Sequence, residues 1–279
     1  IMIINDNMQI GGLMAILTYS TTMLSYFQNV IYAVEGINDF LVPARRIKEF
    51  LNLNEEDLIC KNIVTPDYKK IEFKNVNIKF DNQIVLENIN FAINEGENIY
   101  LVGSNGSGKS VLTKLLLGFI SYEGSILIDD VELRDLHKTK LRENIGLCFQ
   151  TPYIFSDTIK NNIIYDRDID DNDYKKIIDI CNLNTLIESK YLKDNFVIED
   201  NGFNISGGER QKIILARSLL KDSNYIILDE ALSEVDVYEE KQILNKIFDY
   251  CKDKTLIYIS HKKEIISMFK EKYKIERKM

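Results

Sequence analysis

The sequence predicts an α/β domain built on parallel strands, preceded by one long apolar helix. Short apolar segments, typical of strands buried on both faces, recur at 99–102, 225–228 and 256–259. Segments with helical spacing of apolar residues lie among them, at 173–191, 208–221 and 237–251. In addition, positions 7–34 carry no charged residue. Strands that alternate with helices favour an α/β fold with a parallel sheet.

The uncharged segment is long enough for a membrane-spanning helix, which needs about 20 residues. Its serines and threonines make it more polar than a lone helix in lipid, which favours a helix packed in a bundle. Arg45, Arg46 and Lys48 follow it, so the positive-inside rule places its C-terminal end in the cytoplasm. Helical spacing continues through 41–53, where Pro43 is expected to kink the helix. A buried helix of a soluble domain is the alternative.

These patterns divide the chain into three parts. We expect a membrane helix with its cytoplasmic extension at 1–53, an acidic and turn-forming linker at 54–69, and one globular domain at 70–279. At the start of that domain, apolar and polar residues alternate from Ile71 to Phe80 and continue from Ile84 to Ile93. Alternation with a period of two predicts antiparallel strands there.

The composition narrows the classes of function. The net charge of −8 argues against a broad basic face for nucleic acid. The four cysteines lie far apart with no C-x-x-C spacing, which is typical of reduced thiols in a cytosolic domain. The chain has only 2 histidines, too few for a histidine-rich metal cluster.

Residues 103–110, GSNGSGKS, satisfy the phosphate-loop pattern G-x-x-x-x-G-K-[ST] between a predicted strand and a predicted helix. Its glycines let consecutive N–H groups point at phosphate oxygens, and the helix N-terminus adds a favourable field. Lys109 would reach the β- and γ-phosphates, and Ser110 would ligate Mg²⁺. The predicted nucleotide contacts are Gly103, Ser104, Asn105, Gly106, Ser107, Gly108, Lys109, Ser110 and Val111.

Two carboxylates, Asp229 and Glu230, end the apolar strand 225–228. Asp229 would hold Mg²⁺ through water, opposite Ser110, and Glu230 would orient and polarise an attacking water. An apolar strand that ends in two acids is weak evidence by itself. Together with the phosphate loop it predicts a site that hydrolyses a nucleotide.

Between these two motifs lies the segment 204–211, NISGGERQ, at the start of a predicted amphipathic helix. Here the chain resembles the ATP-binding cassette (ABC) family, whose signature is usually L-S-G-G-Q. Ser206, Gly207 and Gly208 can present a hydroxyl and N–H groups to an anion. Ser206 as an ordinary N-cap, with Glu209 in the first turn, is compatible with that role. Glu209 replaces the usual Gln and adds negative charge near the nucleotide.

Other positions match this family in the expected order. The resemblance implies that Phe80 stacks on adenine, although a core position in the strand is an alternative for this side chain. Gln150 matches the residue that contacts Mg²⁺ and water, and the loop after it would contact membrane helices. Asp236 matches the aspartate of the D-loop and is expected to contact the nucleotide. His261 matches the switch histidine at the γ-phosphate.

In two loops the sequence differs from the usual family pattern. The D-loop Ser233–Asp236 has the sequence S-E-V-D in place of S-A-L-D. Asp200 stands where exporters usually have Glu, in a loop that touches the membrane domain. The resemblance implies a P-loop NTPase fold with an antiparallel β-subdomain and a helical subdomain at about 151–216.

The resemblance extends over essentially the whole chain and includes residues 1–53, which look like the last membrane helix of an exporter. An exporter half has six such helices, and the chain starts at Ile1, so we expect a C-terminal part of a longer protein. ATP and Mg²⁺ are the expected cofactors, with Gln150, Glu230 and His261 as catalytic residues. The expected partners are a second identical or different cassette, membrane helices, membrane lipid and a solute, without nucleic acid.

The function implied by the resemblance is export of a peptide, drug or lipid, driven by ATP hydrolysis. The full protein would be a multi-pass protein of the cell membrane, with its nucleotide-binding domain in the cytoplasm. Two alternatives stay open. One is a soluble ABC ATPase in DNA repair or translation, which the uncharged segment and the acidic charge disfavour. The other is a regulatory cassette that binds ATP without hydrolysing it. Measured ATP turnover would distinguish such a cassette from the segment of an exporter.

Overall fold

The computed structural model describes residues 10–53, 56, 66–80, 83–103, 106–150 and 153–275. These residues belong to two compact units, Ile1–Asp57 and Leu58–Met279. Most of the segment predicted as a linker, 54–69, lies outside the described residues.

The described part of the first unit contains one helix, α1 (Ile10–Leu51), none of whose residues is buried. By length and composition it could cross a membrane. It continues without a break through Pro43. Its hydroxyl groups donate back to the helix, as from Thr18 Oγ1 to the Met14 carbonyl at 2.8 Å and from Ser20 Oγ to the Ile16 carbonyl at 2.8 Å. These bonds satisfy polar groups that would otherwise be costly in lipid.

In the second unit, the described residues form two sheets. The first is antiparallel with strand order β2-β1-β4-β5, and the second is parallel with order β6-β7-β8-β3-β9. The strands of the antiparallel sheet are β1 (Lys70–Phe80), β2 (Gln83–Asn94), β4 (Glu123–Ile128) and β5 (Val131–Glu132). Those of the parallel sheet are β3 (Asn98–Val102), β6 (Ile145–Cys148), β7 (Tyr225–Asp229), β8 (Thr255–Ile259) and β9 (Glu271–Lys274).

Helices connect these strands. The α-helices of this unit are α2 (Lys109–Leu116), α3 (Lys138–Glu143), α4 (Ile159–Ile164), α5 (Asp171–Ile180), α6 (Asn184–Ser189), α7 (Gly207–Leu219) and α8 (Val237–Tyr250). Short 3-10 helices cover Leu133–Asp135, Lys193–Asn195, Asp200–Gly202 and Lys263–Met268.

The parallel sheet separates two apolar clusters. Alternate residues of one strand belong to different clusters, because successive side chains point to opposite faces. Ile226 and Leu228 of β7 belong to the cluster that includes α4, α5, α7 and α8. Tyr225 and Ile227 belong to the cluster that includes α2 and the antiparallel sheet. Both faces of β7 and β8 are thus buried, which explains their continuous apolar sequences.

The predicted α/β fold, with its antiparallel and helical parts, is confirmed. Within 173–191 the structure has two helices separated at Cys181–Leu183, where Asn182 has a φ of 51°. The edge strand β9 was not predicted, because its sequence E-K-Y-K has little apolar character. Its pairing with β3 depends on a neighbour far away in the sequence.

Candidate nucleotide-binding site

The phosphate loop connects β3 to α2 and requires glycine at specific places. Gly106 and Gly108 have φ angles of +77° and +98°, which favour glycine. A Cβ atom on Gly108 would also lie 2.6 Å from the Leu86 side chain. On Gly103 it would lie 2.4 Å from Ser107 Oγ and 2.5 Å from the Ile275 carbonyl oxygen. The loop therefore has the close backbone packing that the sequence pattern predicts.

Polar groups inside this loop suit an anion. Lys109 is buried, with 6% of its surface exposed, and its Nζ donates to the Gly103 carbonyl across the loop at 2.8 Å. Ser107 is 1% exposed, and its Oγ has no hydrogen-bond partner among the described residues. A buried hydroxyl without a partner is costly unless a ligand satisfies it. Phosphate oxygens would supply both the missing partner and the countercharge for the lysine.

Asp229 ends β7 with 2% of its surface exposed. Burial raises the pKa of this carboxyl above its ordinary value, while a hydrogen bond with Ser110 opposes that rise. The charge of Glu230 adds to the rise, and Lys109 opposes it. A hard cation prefers such oxygen ligands and would stabilise the carboxylate. The described residues contain no group of three or more acidic, His or Cys side chains that could hold a metal ion.

Three more polar side chains meet beside this position. Gln150 Nε2 donates to Glu230 Oε2 at 2.7 Å, and His261 Nδ1 lies 3.5 Å from Glu230 Oε1. The three residues follow β6, β7 and β8, which are neighbours in the parallel sheet. Carboxyl ends of parallel strands meet at one edge of a sheet, where ligands of α/β proteins bind. The structure thus brings together all three side chains predicted to be catalytic.

The signature segment opens α7. Ser206 is the N-cap, and its Oγ accepts from the Glu209 N–H at 3.3 Å. Glu209 Oε2 in turn accepts from the Ser206 N–H at 2.7 Å. This reciprocal capping box gives Glu209 a local role in starting the helix. Both interpretations of Ser206, N-cap and anion contact, therefore remain compatible.

The phosphate loop and the signature lie at the starts of helices on opposite faces of the parallel sheet. Apolar residues of α2 belong to the cluster with the antiparallel sheet, whereas those of α7 belong to the cluster with α4, α5 and α8. Each motif therefore starts a helix that packs against a different face of the sheet.

The D-loop contains one residue whose contact the sequence did not indicate. The Glu234 carboxylate lies against the backbone of Gly207, where an added Cβ would overlap it at 1.6 Å from Oε2. It also lies 3.6 Å from Arg210 Nη2. Asp236, predicted to contact nucleotide, caps α8 by accepting from the N–H groups of Tyr238 and Glu239, each at 3.0 Å.

Of the predicted nucleotide contacts, Ser104, Asn105 and the side chain of Phe80 lie outside the described residues. Asp200, which replaces a glutamate of the family pattern, accepts a hydrogen bond from the Ser156 hydroxyl. This contact places it beside the segment that follows Gln150.

A phosphate loop between β3 and α2, beside a buried aspartate on a neighbouring strand end, defines a P-loop nucleotide-binding domain. The family model described as ABC transporter matches residues 86–233, more than half of the chain. The chain therefore belongs to the ABC transporter family.

Relatives and solved structures agree with this assignment. The chain is 31% identical over 264 residues to an ATP-dependent lipid A-core flippase of Desulfotalea psychrophila, covering 93% of this chain and 46% of the flippase. It is 31% identical over 276 residues to the transport/processing ATP-binding protein ComA of Streptococcus pneumoniae, covering 94% and 37%. A bacterial Atm1-family ABC exporter with ATP bound superposes with a TM-score of 0.77 at 25% identity, covering 97% and 48%. The chain thus spans about half the length of the relatives, or less.

Proposed function

We propose that this chain is the ATP-binding and ATP-hydrolysing segment of an ABC exporter. The observation that carries the proposal is the convergence of Gln150, Glu230 and His261 on one edge of the sheet, beside the phosphate loop. The names of the relatives, which include an ATP-dependent flippase and an exporter, support the same activity.

The loop and α2 would bind the phosphates of ATP. N–H groups of the loop and the start of α2 would contact the phosphate oxygens, and Lys109 would neutralise part of their charge. Ser107 would donate its hydroxyl to an oxygen. Mg²⁺, when bound, supplies positive charge that offsets the charge of the β- and γ-phosphates. Ser110, Asp229 and Gln150 would hold it.

Glu230 would position the attacking water and accept its proton. Its carboxylate is 12% exposed and is fixed by the Gln150 amide, so one orientation is favoured. His261 faces Glu230 through Nδ1, and Nε2 would contact the γ-phosphate. A carboxylate held beside the water lowers the barrier by orientation and proton transfer together.

A second cassette would complete the site. Ser206, Gly207, Gly208 and Glu209 of one chain would face the γ-phosphate bound by the loop of another, identical or different chain. Placement of the two motifs on opposite faces of the sheet supports this division. Within the full protein, the loop after Gln150 would contact membrane helices, and α1 would lie among those helices and lipid.

The wider arrangement is proposed on the same grounds. Residues 1–53 would be the last membrane helix and its extension, 54–69 the linker, and 70–279 the cytoplasmic nucleotide-binding domain, with its helical part at about 151–216. The full protein would be a multi-pass protein of the cell membrane that exports a peptide, drug or lipid.

Purified protein tests this proposal through nucleotide binding and Mg²⁺-dependent phosphate release. Lys109→Ala should weaken ATP binding by at least about tenfold, because a buried charge-assisted contact to phosphate is lost. Lys140→Ala, at an exposed lysine paired with Glu143, is the matched control and should bind ATP like the parent chain. A parent chain that binds no ATP, or releases no phosphate with Mg²⁺, would contradict the proposal.

A further inference from the structure

We propose that Lys262 is a positioning residue for ATP hydrolysis, which holds the segment after Glu230 against the segment that carries His261. The inference rests on the proposed function and adds a residue to its machinery. Lys262 follows His261 directly, and its side chain reaches back to the loop between β7 and α8.

All three hydrogens of the Lys262 ammonium group have acceptors. Nζ donates to the Leu232 carbonyl at 2.9 Å, to the Val235 carbonyl at 2.7 Å and to Glu240 Oε2 at 2.6 Å. A lysine ammonium has three donors, so this group is fully satisfied. The two carbonyls lie on either side of Ser233 and Glu234, and the lysine therefore fixes both ends of that turn.

The surroundings hold the lysine itself in place. Its side chain is 14% exposed, and that of Glu240 is 0% exposed. The Tyr258 hydroxyl donates to the other oxygen of Glu240 at 2.6 Å, and the Tyr100 hydroxyl donates to the Lys262 carbonyl at 2.9 Å. Burial, followed by the charge of Glu240, raises the pKa of Tyr258 well above its ordinary value, so its hydroxyl stays a donor.

These contacts join the ends of β7 and β8 on both sides of the site. The Glu230 N–H donates to the Ile259 carbonyl at 2.9 Å. Two residues beyond Glu230, the Leu232 carbonyl accepts from Lys262. Glu230 and His261 therefore lie within one closed ring of covalent and hydrogen bonds. The ring holds His261 Nδ1 at 3.5 Å from Glu230 Oε1, the distance on which their joint action depends.

Stability alone is a weak reason for this arrangement, since a buried ion pair often adds little over an apolar pair of the same volume. A role in positioning Glu230 and His261 predicts a different change, in the rate of hydrolysis rather than in stability. Loss of the ring would let Glu230 and His261 shift relative to the reacting atoms. The chemical step should then slow, because a shift of a catalytic group by about 1 Å can lower the rate about 100-fold. ATP binding should change little, since the phosphate loop makes its contacts through other residues.

The first experiment compares Lys262→Met with the parent in the full chain. We expect kcat for ATP to fall by about 10- to 100-fold while KM changes by less than about threefold. Lys246→Met is the matched control, because Lys246 also has several acceptors, on Asp179 and Asn182, away from the strand ends. Its kcat should equal that of the parent. Rates are expressed per ATP-binding site, so that unfolded protein does not contribute.

A second variant separates positioning from folding. Lys262→Met leaves Glu240 as a buried charge without its partner, which lowers stability. Adding Glu240→Gln removes that charge and keeps an acceptor for Tyr258. Lys262→Met/Glu240→Gln should therefore recover much of the lost Tm, while kcat stays low because the Leu232 and Val235 carbonyls still lack the ammonium.

The outcomes distinguish this inference from the proposed function. A parental kcat in Lys262→Met, or a kcat that recovers together with Tm in the double variant, would overturn the positioning role. Equal slowing by Lys246→Met would overturn it as well. A parent chain without Mg²⁺-dependent hydrolysis would instead contradict the proposed function, before any variant is compared.

Discussion

Glu230 has a backbone conformation that few non-glycine residues adopt, with a φ of 51°. For an L-residue the left-handed region costs about 1–2 kcal/mol. The cost is offset by its N–H bond to the Ile259 carbonyl and by the Gln150 amide on its carboxylate. Such conformations concentrate at functional sites. In this conformation the Glu230 carboxylate lies at the edge of the sheet, next to Gln150 and His261.

Glu230→Gln should leave ATP binding nearly intact and reduce turnover by at least about 100-fold, the range of a lost general base. The amide keeps the shape of the side chain but cannot accept the proton of water. Binding of a fluorescent ATP analogue and phosphate release would be measured on the same preparation. Hydrolysis at the parental rate would show that Glu230 is not the catalytic carboxylate.

Asp229→Asn should raise the Tm of the nucleotide-free protein at neutral pH. Burial raises the pKa of the Asp229 carboxyl in the folded protein above its value of 3.8 in the unfolded chain. At a pH between the unfolded and the folded pKa, the folded state therefore binds more protons than the unfolded state. Stability therefore falls as pH rises through that window and stays reduced above it. The neutral amide avoids this loss, and the advantage should shrink as pH approaches 3.8. The variant should also lose the Tm gain from Mg-ATP; a lower Tm without nucleotide would contradict this account.

At the scale of elements, Arg217 ties α7 to the segment that follows Gln150. Its Nε donates to the Asn162 carbonyl at 2.6 Å, its Nη1 to the Tyr153 carbonyl at 2.8 Å and its Nη2 to Asn162 Oδ1 at 2.9 Å. The guanidinium also lies over the Phe155 ring, 5.1 Å from its centre. The helix that begins at the signature is therefore joined to the loop proposed to contact membrane helices.

Arg217→Ala should lower the free energy of unfolding by about 2–4 kcal/mol, because three charge-assisted hydrogen bonds and the contact with the Phe155 ring are lost. Arg217→Lys should recover less than half of this, since an ammonium cannot reproduce the planar fork. Urea unfolding would measure both. Lys252→Ala, at an exposed pair with Asp249, is the control and should change stability by less than about 0.5 kcal/mol. Equal stability of Arg217→Lys and the parent would contradict the geometric argument.

Local patterns predicted the elements that build the site. The phosphate loop, the strand that ends at Asp229 and the helix after Ser206 each have a signal within about ten residues. The contacts of Arg217, Glu234 and Lys262 had no such signal. Each connects segments that are distant in sequence or depends on a loop conformation. The position of Lys262 directly after a histidine predicts none of its contacts, because they depend on the fold, which places the Leu232 and Val235 carbonyls beside it.

At the scale of the whole nucleotide-binding unit, the parallel sheet organises the chemistry. Its strand ends bring together the phosphate loop, Asp229, Glu230 and His261, while its two faces carry the helices that start at the loop and at the signature. The proposed site, in which both motifs meet at one phosphate, would therefore be built by two copies of the unit. This composite site is the central claim of the account.

Mixing two inactive variants tests that claim most directly. Lys109→Ala removes the phosphate contact. Gly208→Asp adds a repelling negative charge at the signature, in the first turn of α7, where a helix tolerates an acid. Each variant alone should hydrolyse almost no ATP, because every site contains one defective half.

If sites form between two chains, an equimolar mixture should regain roughly a quarter of the parental ATPase activity, since half of the dimers are mixed and each has one intact site. Phosphate release from the mixture, compared with each variant alone at the same total concentration, is the measurement. Recovery of activity on mixing is the predicted result. A mixture as inactive as its components, from chains shown to exchange partners, would contradict the composite site.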